Sequence, residues 1–192
     1  SEVEIYLFDT LPGGAGYVSR YSQKEAFKDL IRGVKEDILD NCNCDSSCYR
    51  CLNNFGNKHE HYLLDRIYAS SFLEKMLSDS QKNYQLPIQR LKKSSKNLKE
   101  FLSGYFKDFD FSESFFYDEK EYYSVKFKNK SGGESGYVII CHPLSYEAEI
   151  PADGSIIDLI NEGKVDNYLL VSDLDIINNI PNIIDRFKKK FN

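Results

Sequence analysis

Long apolar runs are missing from this sequence. Nothing near the N-terminus resembles the hydrophobic core of a signal peptide, and no stretch approaches the ~20 apolar residues of a membrane span. A membrane is not an expected partner, and the cytoplasm is the expected compartment because clustered thiols and a lone Cys141 suit a reducing one. Positive charge is also in short supply. Lys and Arg number 25 against 30 Asp and Glu, a net charge of -5, which argues against a generally basic nucleic-acid binder while leaving local patches open. There is no G-x-x-x-x-G-K-[ST] loop to cradle a nucleotide phosphate, so the chain is not expected to hydrolyse ATP by itself. Internal repeats and low-complexity tracts are absent too. No methionine stands at the start of Ser1-Glu2-Val3, and the chain is expected to be cut from a larger protein. With 41% hydrophobic and 14% aromatic residues, the content suffices for a real core, and disorder is not the default.

What is present is concentrated. Four of the five cysteines, Cys42, Cys44, Cys48 and Cys51, fall in one short loop with a helical pattern on either side. Four thiolates suit Zn²⁺, which takes a tetrahedral shell with Zn–S distances of about 2.3 Å, and Asn43, Asp45, Ser46 and Ser47 supply a loop that can fold tightly. Two disulfides are the competing reading, but such short spacings strain the bonds, and a disulfide framework belongs to secreted chains. Four sulfurs leave no coordination position open, so the zinc is expected to be structural.

The expected fold class is α+β. Residues 1–78 read as a small helical zinc-knuckle domain preceded by a strand at 3–9. The Pro12-Gly13-Gly14-Ala15-Gly16 loop follows, then a capping box at Ser22–Glu25. Phe27, Leu30, Ile31, Val34 and Ile38 predict a helix to about Asp40. A second helix is expected from about Glu60 to Leu77. Residues 79–87 read as a polar linker. Residues 88–192 read as a second, α/β domain of order αβββαβα. Its parts are a helix from Ile88 to about Tyr105, strands near 111–117, 121–128 and 136–142, a hairpin turn at Lys130–Gly133, a helix near 156–162, a strand at 168–172, and a helix from Pro181.

Several pieces of the first domain occur together in a recognisable order: Phe8-Asp9-Thr10-Leu11-Pro12-Gly13-Gly14-Ala15-Gly16-Tyr17, the four cysteines with Cys48-Tyr49-Arg50-Cys51-Leu52, then Asn57, His61, Leu64-Asp65-Arg66, Ala69 and Phe72-Leu73. This combination resembles the zinc-binding domain at the C-terminal end of mitomycin-repair-type superfamily 2 (DEAD/DEAH-box) helicases, which also occurs in DISARM-type phage-defence proteins. The resemblance covers about residues 3–77. It implies that Cys42, Cys44, Cys48 and Cys51 are the zinc ligands, and that the parent protein is an ATP-dependent helicase whose core domains are this chain's partners. Residues 88–192 match nothing in that pattern.

Other residues carry weaker expectations. Gly13, Gly14 and Gly16 lie between a strand and a helix, where backbone N–H groups can hold a phosphate or simply make a tight turn. His59 and His61, two apart on a helix, point to different faces and do not make a ligand pair. Asp65 is expected to cap a turn or pair with Arg50; Arg66 pairs within the domain or faces nucleic acid. Cys141 and His142 are neighbours on a strand and cannot act as a catalytic pair; Cys141 is expected in the core. The order αβββαβ is analogous to restriction-endonuclease-like nucleases, but Val138-Ile139-Ile140-Cys141-His142 lacks the acid and lysine such a site needs. Asp118, Glu119 and Glu121 read as a solvated hairpin. Arg90, Lys92, Lys93, Lys96 and Lys99 are expected on the outer surface of the 88–105 helix, with Lys92, Lys96 and Lys99 as candidate contacts to DNA; Lys188–Lys190 form a second basic group. Three functions stand at this point: the zinc-binding end of a helicase in DNA repair or phage defence, a protein-interaction module of a defence complex, and a nuclease in residues 88–192. No catalytic residue is assigned.

Overall fold

The computed structural model describes residues 6–9, 12–14, 16–78, 86–118, 120–147, 150–151, 162–163 and 165–191, with the side chains of 115–118, 120–122, 145–147 and 150–151 left aside. The chain divides into two compact units, Ser1–Ser80 and Gln81–Asn192, and the whole is a mixture of helices with one four-stranded sheet.

Among its described residues the first unit has three α-helices: α1 (Tyr17–Arg20), α2 (Lys24–Gly33) and α3 (Arg66–Leu77). Helix α2 does not stop at Gly33. It continues as a π-helix over Val34–Asp40, so the helical stretch ends at Asp40 as its apolar stripe predicts. The wider winding changes which residue faces inward. An α-helical stripe carries Val34 to Ile38, but i→i+5 bonding carries it to position 39 instead. Leu39 is 1% exposed and Ile38 40% exposed. The predicted capping box does not form: Gln23 occupies the N-cap without a side-chain bond, and the Ser22 hydroxyl donates backward to Ser19 O. Residues 6–9 form no strand, and residues 3–5 of the expected strand lie outside the described residues. The second helix starts at Arg66, later than expected, because Asp65 is its N-cap and accepts from the N–H groups of Ile67 and Tyr68. His61–Leu63 form a separate 3-10 turn.

The second unit opens with α4 (Ile88–Tyr105), which buries Leu91, Ser94, Ser95, Leu98 and Leu102, one face at helical spacing. Strands β1 (Phe109–Asp118), β2 (Lys120–Asn129) and β3 (Ser135–Cys141) form an antiparallel meander. Val125 and Phe127 are buried between exposed Lys126 and Lys128, the period of two of a half-covered strand. Strand β3 also pairs in parallel with β6 (Tyr168–Ser172), giving the order β1-β2-β3-β6. Val138 to Cys141 are all buried, as expected for a strand covered on both faces. Between β3 and β6 lies a small two-stranded hairpin, β4 (Tyr146–Glu147) with β5 (Ile150–Pro151), which no sequence pattern announced. The helix expected at 156–162 falls outside the described residues apart from Glu162, which is in a turn. Two helices follow β6, α5 (Asp173–Asn178) and α6 (Ile180–Phe191); only the second was expected.

The core of this unit is a knot of rings. Phe187 on α6 lies with its centroid 4.7 Å from Phe106, 5.4 Å from Phe109 and 5.0 Å from Phe127, and Phe191 stacks 4.5 Å from Phe127. Gly136 is needed for this packing. A Cβ there would sit 2.3 Å from Asn167 O and 2.8 Å from Phe127 Cζ, where Tyr137 N–H donates to the same carbonyl at 2.8 Å.

Candidate metal centre

The first unit has almost no core of its own. Among its described residues only Ile31, Leu39 and Cys42 are buried. A chain of this length with so little buried apolar surface needs a staple, and the cysteine loop stands where one would act, between the π-helical end of α2 and the start of α3.

The four sulfurs converge. Cys42 Sγ lies 3.6 Å from that of Cys44 and 3.5 Å from that of Cys48; Cys44 and Cys51 are 3.7 Å apart, Cys48 and Cys51 3.9 Å. All four lie within 4.8 Å of one another. A regular tetrahedron with Zn–S bonds of about 2.3 Å has edges of about 3.8 Å, so the spacing is that of a zinc shell and far from the roughly 2 Å of a disulfide; all five cysteines are free. Main-chain N–H groups support the sulfurs as acceptors: Cys48 N–H donates to Cys51 Sγ at 3.3 Å and Arg50 N–H to Cys48 Sγ at 3.4 Å. The Cys44 N–H, helped by the Cys48 side chain, lowers Cys42 to about 7, whereas burial and the neighbouring thiols push Cys44 up to about 12. Four thiolates cannot share one point without a cation between them, and a divalent ion supplies that charge. Structural zinc is the cofactor these residues fit. Among the described residues no other group of three or more His, Cys, Asp or Glu side chains is close enough to hold an ion.

The loop is tied to both helices. Arg66 donates through Nε to Cys44 O at 2.7 Å and through a terminal nitrogen to Leu39 O at 3.2 Å, and its own N–H donates to Ser46 O at 2.7 Å. Its guanidinium therefore ties a carbonyl at the end of the π-helix to one inside the cysteine loop. Asp40 accepts from the Ser70 hydroxyl at 2.5 Å and from Lys35 at 2.7 Å, and Lys35 also meets Glu74 at 3.3 Å. His61 is no ligand. Its Nε2 lies 3.0 Å from Asn54 O and 3.0 Å from Asn57 Oδ1, and Tyr49 packs edge-on against its ring.

Gly13, Gly14 and Gly16 all have positive φ, and the loop they form already has an anion inside it. The Asp9 carboxylate accepts from Gly16 N–H at 3.0 Å and lies 3.3 Å from where a Gly14 Cβ would be. A carboxylate from the chain itself thus takes the place a phosphate would need.

In the second unit the basic helix divides. Lys92, Lys93 and Lys96 are exposed, and Lys99 pairs with Glu113 at 3.4 Å. Arg90 departs from the expected outer surface. Its side chain is 12% exposed and reaches Asp173 at 2.6 Å, because Asp173, at the start of α5, is fully buried and draws the guanidinium inward. Ser94 donates to the other Asp173 oxygen, and His142, 2% exposed, lies within the field of both charges. Burial pushes His142 down to about 4; Arg90 adds to the shift and Asp173 opposes it. This buried cluster joins residues 83 positions apart, and nothing in the local pattern could have revealed it. Cys141 is buried and donates to Val171 O at 3.2 Å, as a core residue should. Strand β3, where the nuclease analogy would need an acid and a lysine, presents Val138, Ile139 and Ile140 to the core and has neither. Of the acidic hairpin, Glu119 and the side chains of Asp118 and Glu121 lie outside the described residues.

A four-sulfur loop clamped between two helices is the centre of a structural zinc-binding domain. Residues 1–52 match the family model for the MrfA Zn-binding domain, which bears out the resemblance over that stretch. Over 71 residues, 37% of this chain, the sequence is 41% identical to the Druantia protein DruE of Escherichia coli (strain UMEA 4076-1). The matched stretch is 4% of that relative's length. No solved structure matches the chain, and among the described residues no helix is long and apolar enough to cross a membrane.

Proposed function

We propose that this chain is the zinc-stapled accessory portion of a helicase or helicase-associated protein acting in DNA repair or phage defence. Cys42, Cys44, Cys48 and Cys51 are the zinc ligands, and Arg66 positions the loop that carries them. The observation that carries the reading is the sulfur tetrahedron at the junction of two helices that have little core of their own. The match of residues 1–52 to the MrfA Zn-binding domain and the similarity to a Druantia protein support the assignment to that class. Zinc here does no chemistry, because four sulfurs close the shell; it holds the Leu39–Asp40 end of the π-helix against the start of α3. The partners are the helicase core domains of the parent protein and DNA, with Lys92 and Lys96 as the phosphate-facing residues.

The test is elemental analysis of protein purified under reducing conditions. One zinc per chain is expected, and Cys48→Ser should lose the metal and the helix junction together, because structural zinc supplies folding energy directly. Zinc-free protein with disulfides seen by mass spectrometry overturns the reading. The isolated chain should show no ATPase activity with or without DNA. If the lysine face meets phosphate, Lys92→Glu with Lys96→Glu weakens DNA binding for every sequence, and the affinity of the parent protein falls steeply with salt.

A further inference from the structure

The cysteine loop and the turns that follow it carry three exposed aromatic rings. Tyr49 is 71% exposed, Phe55 79% and Tyr62 79%. A ring of that size is normally worth burying, and three exposed within fourteen residues of chain mark a contact surface. Two of them have partners although they are exposed. Tyr49 stands edge-on to His61 with centroids 5.4 Å apart, and Tyr62 follows His61 in the chain. The His61 ring is fixed by Asn54 O and Asn57 Oδ1. Asn54 and Asn57 are locked by reciprocal bonds between each backbone N–H and the other's Oδ1, at 2.8 and 3.1 Å, and Asn57 also donates to Leu52 O at 2.9 Å. Phe55, between the two asparagines, has Lys58 Nζ 4.8 Å above its ring. The imidazole, fixed by the asparagine pair, therefore braces Tyr49, and Lys58 covers Phe55.

The surroundings choose the occupant. A protein docking surface gathers contiguous apolar side chains at its centre, whereas the chain neighbours of these rings are mainly Asn53, Asn54, Gly56 and Asn57, with the exposed aliphatic Leu63 after Tyr62. Flat, rigid rings with amides and cations (Arg50, Lys58) interleaved are the composition on which unpaired bases stack. We infer that Tyr49, Phe55 and Tyr62 form a stacking surface for the bases of single-stranded nucleic acid. The inference rests on the zinc reading above, since the metal orders the loop. Asp45 and Glu60 share this loop with Arg50 and Lys58, so phosphate attraction is weak here. The rings carry the affinity at this site, and the advantage of an intact strand over an abasic one persists as salt is raised.

The experiment uses the full zinc-loaded chain and a fluorescein-labelled oligothymidylate of about twenty nucleotides, read by anisotropy. A strand of the same length with abasic residues, and a blunt duplex, serve as comparisons. The oligothymidylate is expected to bind more tightly than either. Phe55→Ala and Tyr62→Ala should each weaken it by about five- to a hundred-fold, while Tyr62→Phe keeps most of the affinity and all three variants retain one zinc per chain. Equal binding of the abasic strand, or ring variants that bind as the parent does, overturns the inference. So does a zinc-loaded protein that ignores the strand but forms a dimer that Tyr62→Ala disrupts, which would make the surface protein-facing. Parent protein without zinc overturns the metal reading itself and is distinguished by the elemental analysis.

Discussion

Arg66 offers the sharpest test of how the metal loop is held. Its guanidinium bridges Cys44 O, inside the loop, and Leu39 O, at the end of the π-helix. Hydrogen bonds from a charged donor contribute about 1.5–3 kcal/mol each. The 3.2 Å bond is the weaker of the two and the side chain is only half-buried, so Arg66→Gln should cost about 2–3 kcal/mol in the stability of the first unit. For a unit of this size that lowers the melting temperature by roughly 10 °C or more. Because residues that orient metal ligands typically change affinity about 10–100-fold when replaced, the same variant should release zinc to a competing chelator at correspondingly lower chelator concentration. Arg66→Lys keeps the charge but cannot reach two carbonyls in fixed directions, so it should recover little. The measurement is zinc competition with a chromophoric chelator beside thermal unfolding with and without EDTA. If Arg66→Gln keeps its zinc affinity within about threefold and instead loses DNA binding, the clamp is wrong and the residue faces nucleic acid.

Other outcomes follow from the second unit. His142 titrates near 4 when folded, below the ordinary value of about 6.5, so the unfolded chain takes up the proton first as pH falls. The stability that neutral His142 supplies is complete above about pH 6.5 and lost between there and about pH 4, about 3 kcal/mol in all; urea unfolding of His142→Gln should show a shallower acid loss, and identical profiles refute it. Asp173→Ala leaves Arg90 buried without its carboxylate and should cost about 3–5 kcal/mol, whereas losing less than about 1 kcal/mol by chemical denaturation would show that the pair is not desolvated. Gly136→Ala drives a methyl into Asn167 O and Phe127 and should destabilise by about 1–3 kcal/mol, measured in the same way; a neutral result would mean the β3 end relaxes freely.

The sequence alone determined the parts whose cause is local. Four sulfurs in one loop announce a tetrahedral ion by their number and spacing, whatever the rest of the chain does. The face of α4 with Leu91, Leu98 and Leu102 follows from a periodicity of 3.6, and the strand Tyr168–Ser172 from a short continuous apolar run. Only the tertiary structure decided the rest. Winding the chain toward the cysteines as a π-helix exchanges Ile38 for Leu39, because meeting the metal loop and Arg66 outweighs the regular turn. Arg66 becomes a clamp because the cysteine loop folds back onto the start of α3. Arg90, the first cation of an apparently solvent-facing series, turns inward because Asp173 lies buried far along the chain. Coulombic attraction in a dry interior is strong and indifferent to sequence distance, so no local pattern records which partners it will join.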